Sequence, residues 1–224
     1  NLGHRVAIKV LQQLASHGEG IVRRFEQEAR TVARLESRHI VRVLDADQAP
    51  DGTRYLVMEL LRGRDLSAIV NERRVLRTEE VVDVALQVCV GLKHAHEAGI
   101  IHRDLKPENI LVREKDPLDL ILTDFGIASL SGETQHFTST NRTVKYGAPE
   151  TCGGAVSAKS DYWSLGLIVL ESLMGKHPFD GLSDMVVVKQ LISSQIDLRE
   201  VKDPRWVLLL KGLLTRNPEK RWAG

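Results

Sequence analysis

One stretch, SLGLIVLESLM from Ser164 to Met174, constrains the fold more than any other. Written on a helix it is apolar on nearly every side, the pattern of a helix enclosed by other elements rather than laid on a surface. A chain can enclose such a helix only by building a large body around it. With 224 residues and 42% hydrophobic content, this one carries enough apolar side chains to do so. The expected architecture is α+β: a small strand-containing lobe up to about Leu61, then a larger, mainly helical lobe.

The rest of the pattern fills in that outline. Val6 to Leu11 and Arg54 to Met58 are short, rich in β-branched and large apolar residues, and bounded by turn material such as Ala49-Pro50-Asp51-Gly52, so they read as strands. Between them the spacing predicts a helix over roughly Glu19 to Glu36, with Phe25, Val32 and Leu35 on one stripe and Glu28 on that same inward face. After Gly63, Thr78 is the expected N-cap of a helix carrying Val81, Val84, Ala85, Val88, Cys89 and Leu92 at helical spacing, and Gly99 ends it. Arg23 and Arg24 read as a solvated helix face. Gly18 and Gly20 read as a loop and helix start, because a lone G-x-G is weak evidence for a phosphate loop.

Bulk composition excludes several classes. The 31 basic and 30 acidic residues nearly cancel, so no charge excess argues for nucleic acid or an acidic membrane. Two cysteines, Cys89 and Cys152, are too few for a disulfide framework, and no Cys/His spacing resembles a zinc site. A reducing, cytoplasmic setting is the default expectation. No leader and no apolar run of ~20 residues, the length needed to span a bilayer, is visible in the chain.

The chemistry concentrates in IIHRDLKPENILV, Ile100 to Val112, where His102, Arg103, Asp104, Lys106 and Asn109 sit between two apolar, strand-like flanks. Further on, ILTDFGIAS places Asp124 after another apolar run and before a Phe125-Gly126 pair. Asn109 and Asp124 are hard-oxygen donors of the kind magnesium takes. Lys9, in the middle of the first strand, needs an anionic partner.

With Val6-Ala7-Ile8-Lys9, Glu28, His102-Arg103-Asp104, Asp124-Phe125-Gly126, Ala148-Pro149-Glu150, Asp161 and Arg221 in this order, the chain resembles the eukaryotic-like (Hanks-type) protein kinases, most closely the bacterial serine/threonine kinases. The resemblance implies a bilobal fold, with residues 1–61 a partial small lobe holding a third, fourth and fifth strand, one helix and the start of a hinge, and residues 62–224 the helical lobe. It implies ATP and Mg2+ as cofactors and protein substrates with Ser/Thr acceptors. On that pattern Lys9 holds the α- and β-phosphates and pairs with Glu28. Asp104 takes or orients the proton of the attacking hydroxyl, Lys106 contacts the γ-phosphate, and Asn109 with Asp124 holds magnesium. Ala7 and Leu111 would sandwich the adenine. Met58 would stand as gatekeeper, Glu59 to Leu61 as hinge, and Asp65 as the ribose contact. Thr143 would line the substrate pocket. The hydroxyl-rich segment from Asp124 to Glu150, with Thr134, Thr138, Ser139 and Thr140, would be an activation loop ordered by pairing of a phosphate with Arg103, possible self-association serving autophosphorylation at Thr138, Ser139 or Thr140.

Plainer readings stand beside these. Lys9 alone would ordinarily be a strand-edge lysine in solvent, and it is Glu28 and Asp124 in order that reverse this. His102 is expected to pack on Phe125 without titrating, Asp161 to anchor the 102–104 backbone, and Glu150 with Arg221 to form a buried structural ion pair. Two other functions compete: a kinase-like scaffold that binds nucleotide or protein with little catalysis, and a small-molecule kinase of the aminoglycoside or choline type. The Ala-Pro-Glu segment and the hydroxyl-rich loop argue against the second. Asn1 to His4 read as the tail of a connection into the third strand, so the glycine-rich loop and two strands expected before it are absent from these residues, and the closing helix after Arg221 is cut short. The expectation is therefore weak ATP binding and poor turnover by these 224 residues alone.

Overall fold

The computed structural model describes residues 5–11, 31–115, 117–125 and 143–223. The predictions for Asn1 to His4, Gly18, Gly20, Arg23, Arg24, Phe25, Glu28, Gly126, Thr134, Thr138, Ser139 and Thr140 lie outside those residues, as does the side chain of Thr143.

The small lobe is an antiparallel sheet of β1 (Val6–Leu11), β2 (Val43–Gln48) and β3 (Arg54–Glu59), in the order β1-β3-β2. β1 runs against β3 with Ala7 opposite Met58 and Lys9 opposite Leu56. Its side chains alternate, as a strand requires: Ala7 and Lys9 are half-buried while Val6, Ile8 and Val10 are exposed. β2 (VLDADQ) has no apolar alternation. Only Val43 is buried, and the rest of this edge strand faces solvent. Ahead of β2, residues 31–33 are helical and Val32 is buried. The helix therefore stops short of the predicted Glu36.

The second body begins with β4 (Arg64–Asp65) and α1 (Leu66–Arg73), followed by the long α2 (Thr78–Glu97). The N-cap of α2 is Arg77, one residue before the predicted Thr78. The Glu80 carboxylate accepts from the Arg77 backbone N–H at 2.9 Å and from Arg73 at 2.6 Å, so a glutamate in the first turn reaches back to the N–H of the cap residue. Val81, Val84, Val88 and Leu92 are fully buried along one face, and Gly99 follows the helix with φ +76, as predicted. Residues 100 and 101 do not form the strand expected before the charged loop. The apolar stretch after that loop does, as β5 (Ile110–Lys115), which pairs with β4 and with β6 (Leu118–Leu122).

Beyond the 126–142 segment come α3 (Thr143–Tyr146), α4 (Ala158–Met174), α5 (Asp184–Ser193) and α6 (Pro204–Leu213). Helix α4 is the enclosed helix the sequence demanded: Tyr162, Trp163, Leu165, Leu167, Ile168, Val169 and Leu170 are all buried. Each such side chain removed from water contributes about 1.5–3 kcal/mol. Where α2 crosses β6, Gly91 allows contact: a Cβ there would meet the Leu122 side chain at 2.7 Å. The bodies are stitched together through the same strand. Val41 N–H donates to Leu122 O at 2.9 Å, Leu122 N–H to His39 O at 2.9 Å, and His39 Nδ1–H to Leu120 O at 3.0 Å.

Candidate active site

The charged loop 102–109 hangs between the end of α2 and the start of β5, and its backbone is fixed from beneath by α4. Asp161, in the first turn of that helix and 1% exposed, accepts from His102 N–H at 2.8 Å and from Arg103 N–H at 3.0 Å. His96 on α2 supplies another bond, Nε2–H to Asp161 Oδ2 at 2.7 Å. A buried carboxylate is tolerated there because it collects several donors and sits where the helix dipole favours an anion. This matches the anchoring role expected of Asp161. His96 was not singled out; its place one turn after Leu92 on the buried side of α2 was the only signal.

Within the loop, Lys106 Nζ donates to Asp104 Oδ2 at 2.7 Å. Asn109 is buried and turns its amide nitrogen inward, donating to Asp104 O at 2.7 Å and to Asp104 Oδ2 at 3.1 Å. Its own carbonyl accepts from Thr123 N–H at 2.9 Å, which ties the loop to the end of β6 one residue before Asp124. Asp124 then receives Lys9 Nζ on Oδ1 at 2.7 Å, across the gap between β6 and β1. Arg103 (φ +67) and Asp124 (φ +56) both hold left-handed backbones, a conformation non-glycine residues adopt rarely and usually at functional sites.

The structure therefore brings Lys9 onto Asp124, and Lys106 and Asn109 onto Asp104, with the backbone bond of Thr123 to Asn109 joining the two groups. His102 lies below, its ring 4.6 Å from that of Phe125 and its Nε2–H donating to Thr123 O at 3.0 Å. Burial pushes its pKa down, so the ring is neutral and structural, as expected.

The residues predicted to receive a nucleobase lie on β1, β3, β4 and β5 and on the link between β3 and β4. Ala7 and Met58 are cross-strand partners, both half-buried. Glu59 accepts from Arg42 N–H at 2.8 Å, Leu61 is half-buried, and Leu111 pairs with Asp65 across β4 and β5. Asp65 is also a helix cap: its Oδ1 accepts from Ala68 N–H at 2.7 Å at the start of α1. Gly63 precedes it with φ +146, and a Cβ there would meet Val112 O at 2.2 Å, so only glycine lets the chain pass β5 this closely.

On the far side of the 126–142 segment, Arg221 forks onto Glu150 at 2.6 and 2.9 Å. Burial would raise the Glu150 carboxyl, but the bonds from Arg221 outweigh it and hold it below its ordinary value. Near α3, the Tyr146 hydroxyl donates to Glu171 on α4 at 2.5 Å. Burial pushes Glu171 up to about 7 and the neighbouring His177 down to about 4. Among the described residues no helix is long and apolar enough to cross a membrane.

Comparison with known proteins agrees with this geometry. A family model described as "Protein kinase domain" matches residues 1–223. A Clostridium perfringens protein described as a probable serine/threonine-protein kinase is 37% identical over 87% of this chain and 28% of its own length. The serine/threonine-protein kinase PknL of Mycobacterium tuberculosis is 36% identical over 99% of this chain and 57% of its own. PrkC of Bacillus subtilis is 33% identical over 87% and 30%. The chain thus spans between 28% and 57% of the length of these relatives.

Proposed function

The chain belongs to the protein kinase domain family, and from that premise we propose that it is the catalytic domain of a protein serine/threonine kinase, moving the γ-phosphoryl group of ATP to Ser/Thr hydroxyls of proteins. The observation that carries this reading is the juxtaposition of Lys9 on Asp124 with Asn109 and Lys106 on Asp104, the two groups joined by the Thr123–Asn109 backbone bond and built on a loop whose backbone Asp161 fixes. A lysine stands beside each carboxylate, Lys9 on Asp124 and Lys106 on Asp104, and cations so placed suit a transition state whose charge is spread over phosphoryl oxygens.

The donor set fits magnesium. Among the described residues no group of three or more His, Cys, Asp or Glu side chains could hold a metal. A site with one Asp and one Asn, completed by phosphate oxygens and water, is what magnesium takes and what zinc does not. Because the Asn109 amide nitrogen is engaged at Asp104, its amide oxygen would be the atom left to hold magnesium, together with the Asp124 carboxylate. When bound, the ion neutralises and aligns the phosphates. Lys9 draws the α- and β-phosphate oxygens, assisted by Glu28. Asp104 orients the acceptor hydroxyl and receives its proton, and Lys106 beside it faces the γ-phosphate. Thr143 supports the same acceptor class, and Ala7, Met58, Glu59, Leu61, Asp65 and Leu111 form the nucleoside site. Arg103 would receive a phosphate placed on Thr138, Ser139 or Thr140, the chain working in the cytoplasm with its boundary between lobes at Leu61.

The test is phosphate transfer from ATP to a generic protein substrate, with and without magnesium, by the parent and by Asp104→Asn. Loss of the proton acceptor should cost about 10²- to 10⁴-fold. Equal transfer by parent and variant would sink the reading. Intact-mass analysis of the same samples should show added phosphate on residues 138–140, and its absence would remove the autophosphorylation part alone.

A further inference from the structure

The outer face of α2 is apolar where a solvated helix would be polar. Val82, Leu86 and Val90 stand one turn apart on it with 39%, 60% and 41% exposure, while Val81, Val84, Val88 and Leu92 fill the core on the opposite side. Isolated exposed apolar residues need no explanation, but a continuous stripe does. The stripe is bounded by charge. Exposed Glu79 lies on the same face toward the N-terminus and exposed Lys93 toward the C-terminus, the latter in a loose 3.8 Å pairing with Glu97 of its own helix.

These residues are arranged symmetrically. Val82 lies as far before Leu86 as Val90 lies after it, and Glu79 as far before as Lys93 after. A two-fold axis through Leu86, perpendicular to the helix, would therefore match each of these five residues with a complementary one on a second copy. We propose that this face is a homodimer interface, in which α2 of one copy packs antiparallel on α2 of another about that axis. Leu86 then meets its own counterpart, Val82 meets Val90, and Glu79 meets Lys93, the last two contacts each occurring twice. A parallel pairing would set Glu79 on Glu79 and Lys93 on Lys93, so the charges select the antiparallel arrangement. None of the residues placed in the active site lies on this face, so association leaves the chemistry accessible.

The contact is small, which places it among transient interfaces, with a Kd of about 10 µM to 1 mM. Sedimentation equilibrium of the chain over roughly three decades of concentration should show a monomer–dimer equilibrium in that range. Leu86→Asp should weaken it at least about tenfold. Glu79→Lys and Lys93→Glu, each of which sets like charges opposite one another twice, should each weaken it about two- to tenfold. The exchanged pair Glu79→Lys/Lys93→Glu should restore it. Circular dichroism melts confirm that each variant is folded, and phosphate transfer serves as an independent readout that these surface changes should leave alone. A chain that stays monomeric throughout, a dimer indifferent to Leu86→Asp, or an exchanged pair no stronger than the single variants would each overturn the proposal, with no bearing on whether the chain is a kinase.

Discussion

Replacing Arg221 by methionine should cost about 4 kcal/mol of folding stability, and the structure shows where that figure comes from. The side chain is fully enclosed. Its Nη1 donates to Glu150 Oε1 at 2.6 Å and Lys159 O at 2.8 Å, its Nη2 to Glu150 Oε2 at 2.9 Å, and its Nε to Thr215 O at 2.8 Å. The guanidinium also stacks 5.1 Å from the centre of the Trp163 ring. Methionine fills much of the volume but leaves a largely buried carboxylate without its guanidinium and removes the donors that Arg221 gave to the Lys159 and Thr215 carbonyls. Breaking a buried pair from one side costs about 3–5 kcal/mol. The double variant Arg221→Met/Glu150→Leu orphans no charge, so it should be about 2 kcal/mol more stable than Arg221→Met alone despite carrying an extra change. Urea unfolding followed by tryptophan fluorescence and by circular dichroism measures both. For a chain of this size each kcal/mol also moves Tm by about 2–4 °C. A loss under about 1.5 kcal/mol for Arg221→Met, or a double variant as unstable as the sum of the singles, would refute the orphaned-charge account.

Asp161→Asn exchanges one acceptor oxygen for a donor that faces backbone N–H groups, so amide exchange at His102 and Arg103 should rise at least about tenfold and phosphate transfer should fall with it; unchanged exchange would contradict the anchoring role. Lys9→Met should change stability by no more than about 1 kcal/mol, because the pair with Asp124 is partly exposed, yet reduce phosphate transfer at least about a hundredfold; unchanged transfer would count against Lys9 as a phosphate ligand. The pH dependence has two opposing parts. His177, held down at about 4 from an ordinary 6.5, binds fewer protons folded than unfolded, so its contribution is lost as pH falls from about 6.5 to 4. Glu171, raised from 4.5 to about 7, binds more protons folded, so its contribution is lost as pH rises through that window. Relative to the parent, His177→Gln should make stability decline with rising pH between about 4.5 and 6.5, and Glu171→Gln should make it climb; urea midpoints taken across that range would show slopes of one sign if either assignment is wrong.

What could be read from the sequence was what local spacing determines. The enclosed helix, the strands Val6 to Leu11 and Arg54 to Met58, and the buried stripe of α2 follow from periodicity alone, because burial on one side or all sides writes itself into residue spacing. The loop residues His102 to Asn109 were recognisable because so many charges between apolar runs need a reason. Strand β2 was not visible as a strand: Leu44 to Gln48 carry no alternation, since an edge strand facing solvent is held by backbone bonds to β3 rather than by an apolar face. The Arg77 cap was missed because its side chain offers no acceptor to the first turn, and the bond at this end is instead made by Glu80, three residues ahead, to the Arg77 N–H. Contacts between distant elements, such as Gln87 Nε2–H donating to Leu118 O at 2.7 Å while its Oε1 accepts Leu120 N–H, leave no trace in local pattern.

The loop geometry also explains why its supports are buried so far from where chemistry would occur. Left-handed backbones at Arg103 and Asp124 each cost about 1–3 kcal/mol, and neither residue would hold that conformation by preference. Arg103 is kept there by its N–H bond to Asp161, which His96 in turn holds from α2. Asp124 is bracketed by Thr123, bound through its N–H to Asn109 O, and by Phe125, buried against His102. Arg103 thus has a hydrogen-bonded anchor on the core side, and Asp124 has one through its neighbour Thr123. Weakening an anchor therefore releases strain locally, so the core partners of these two residues control the placement of Asp104 and Asp124 without touching any substrate.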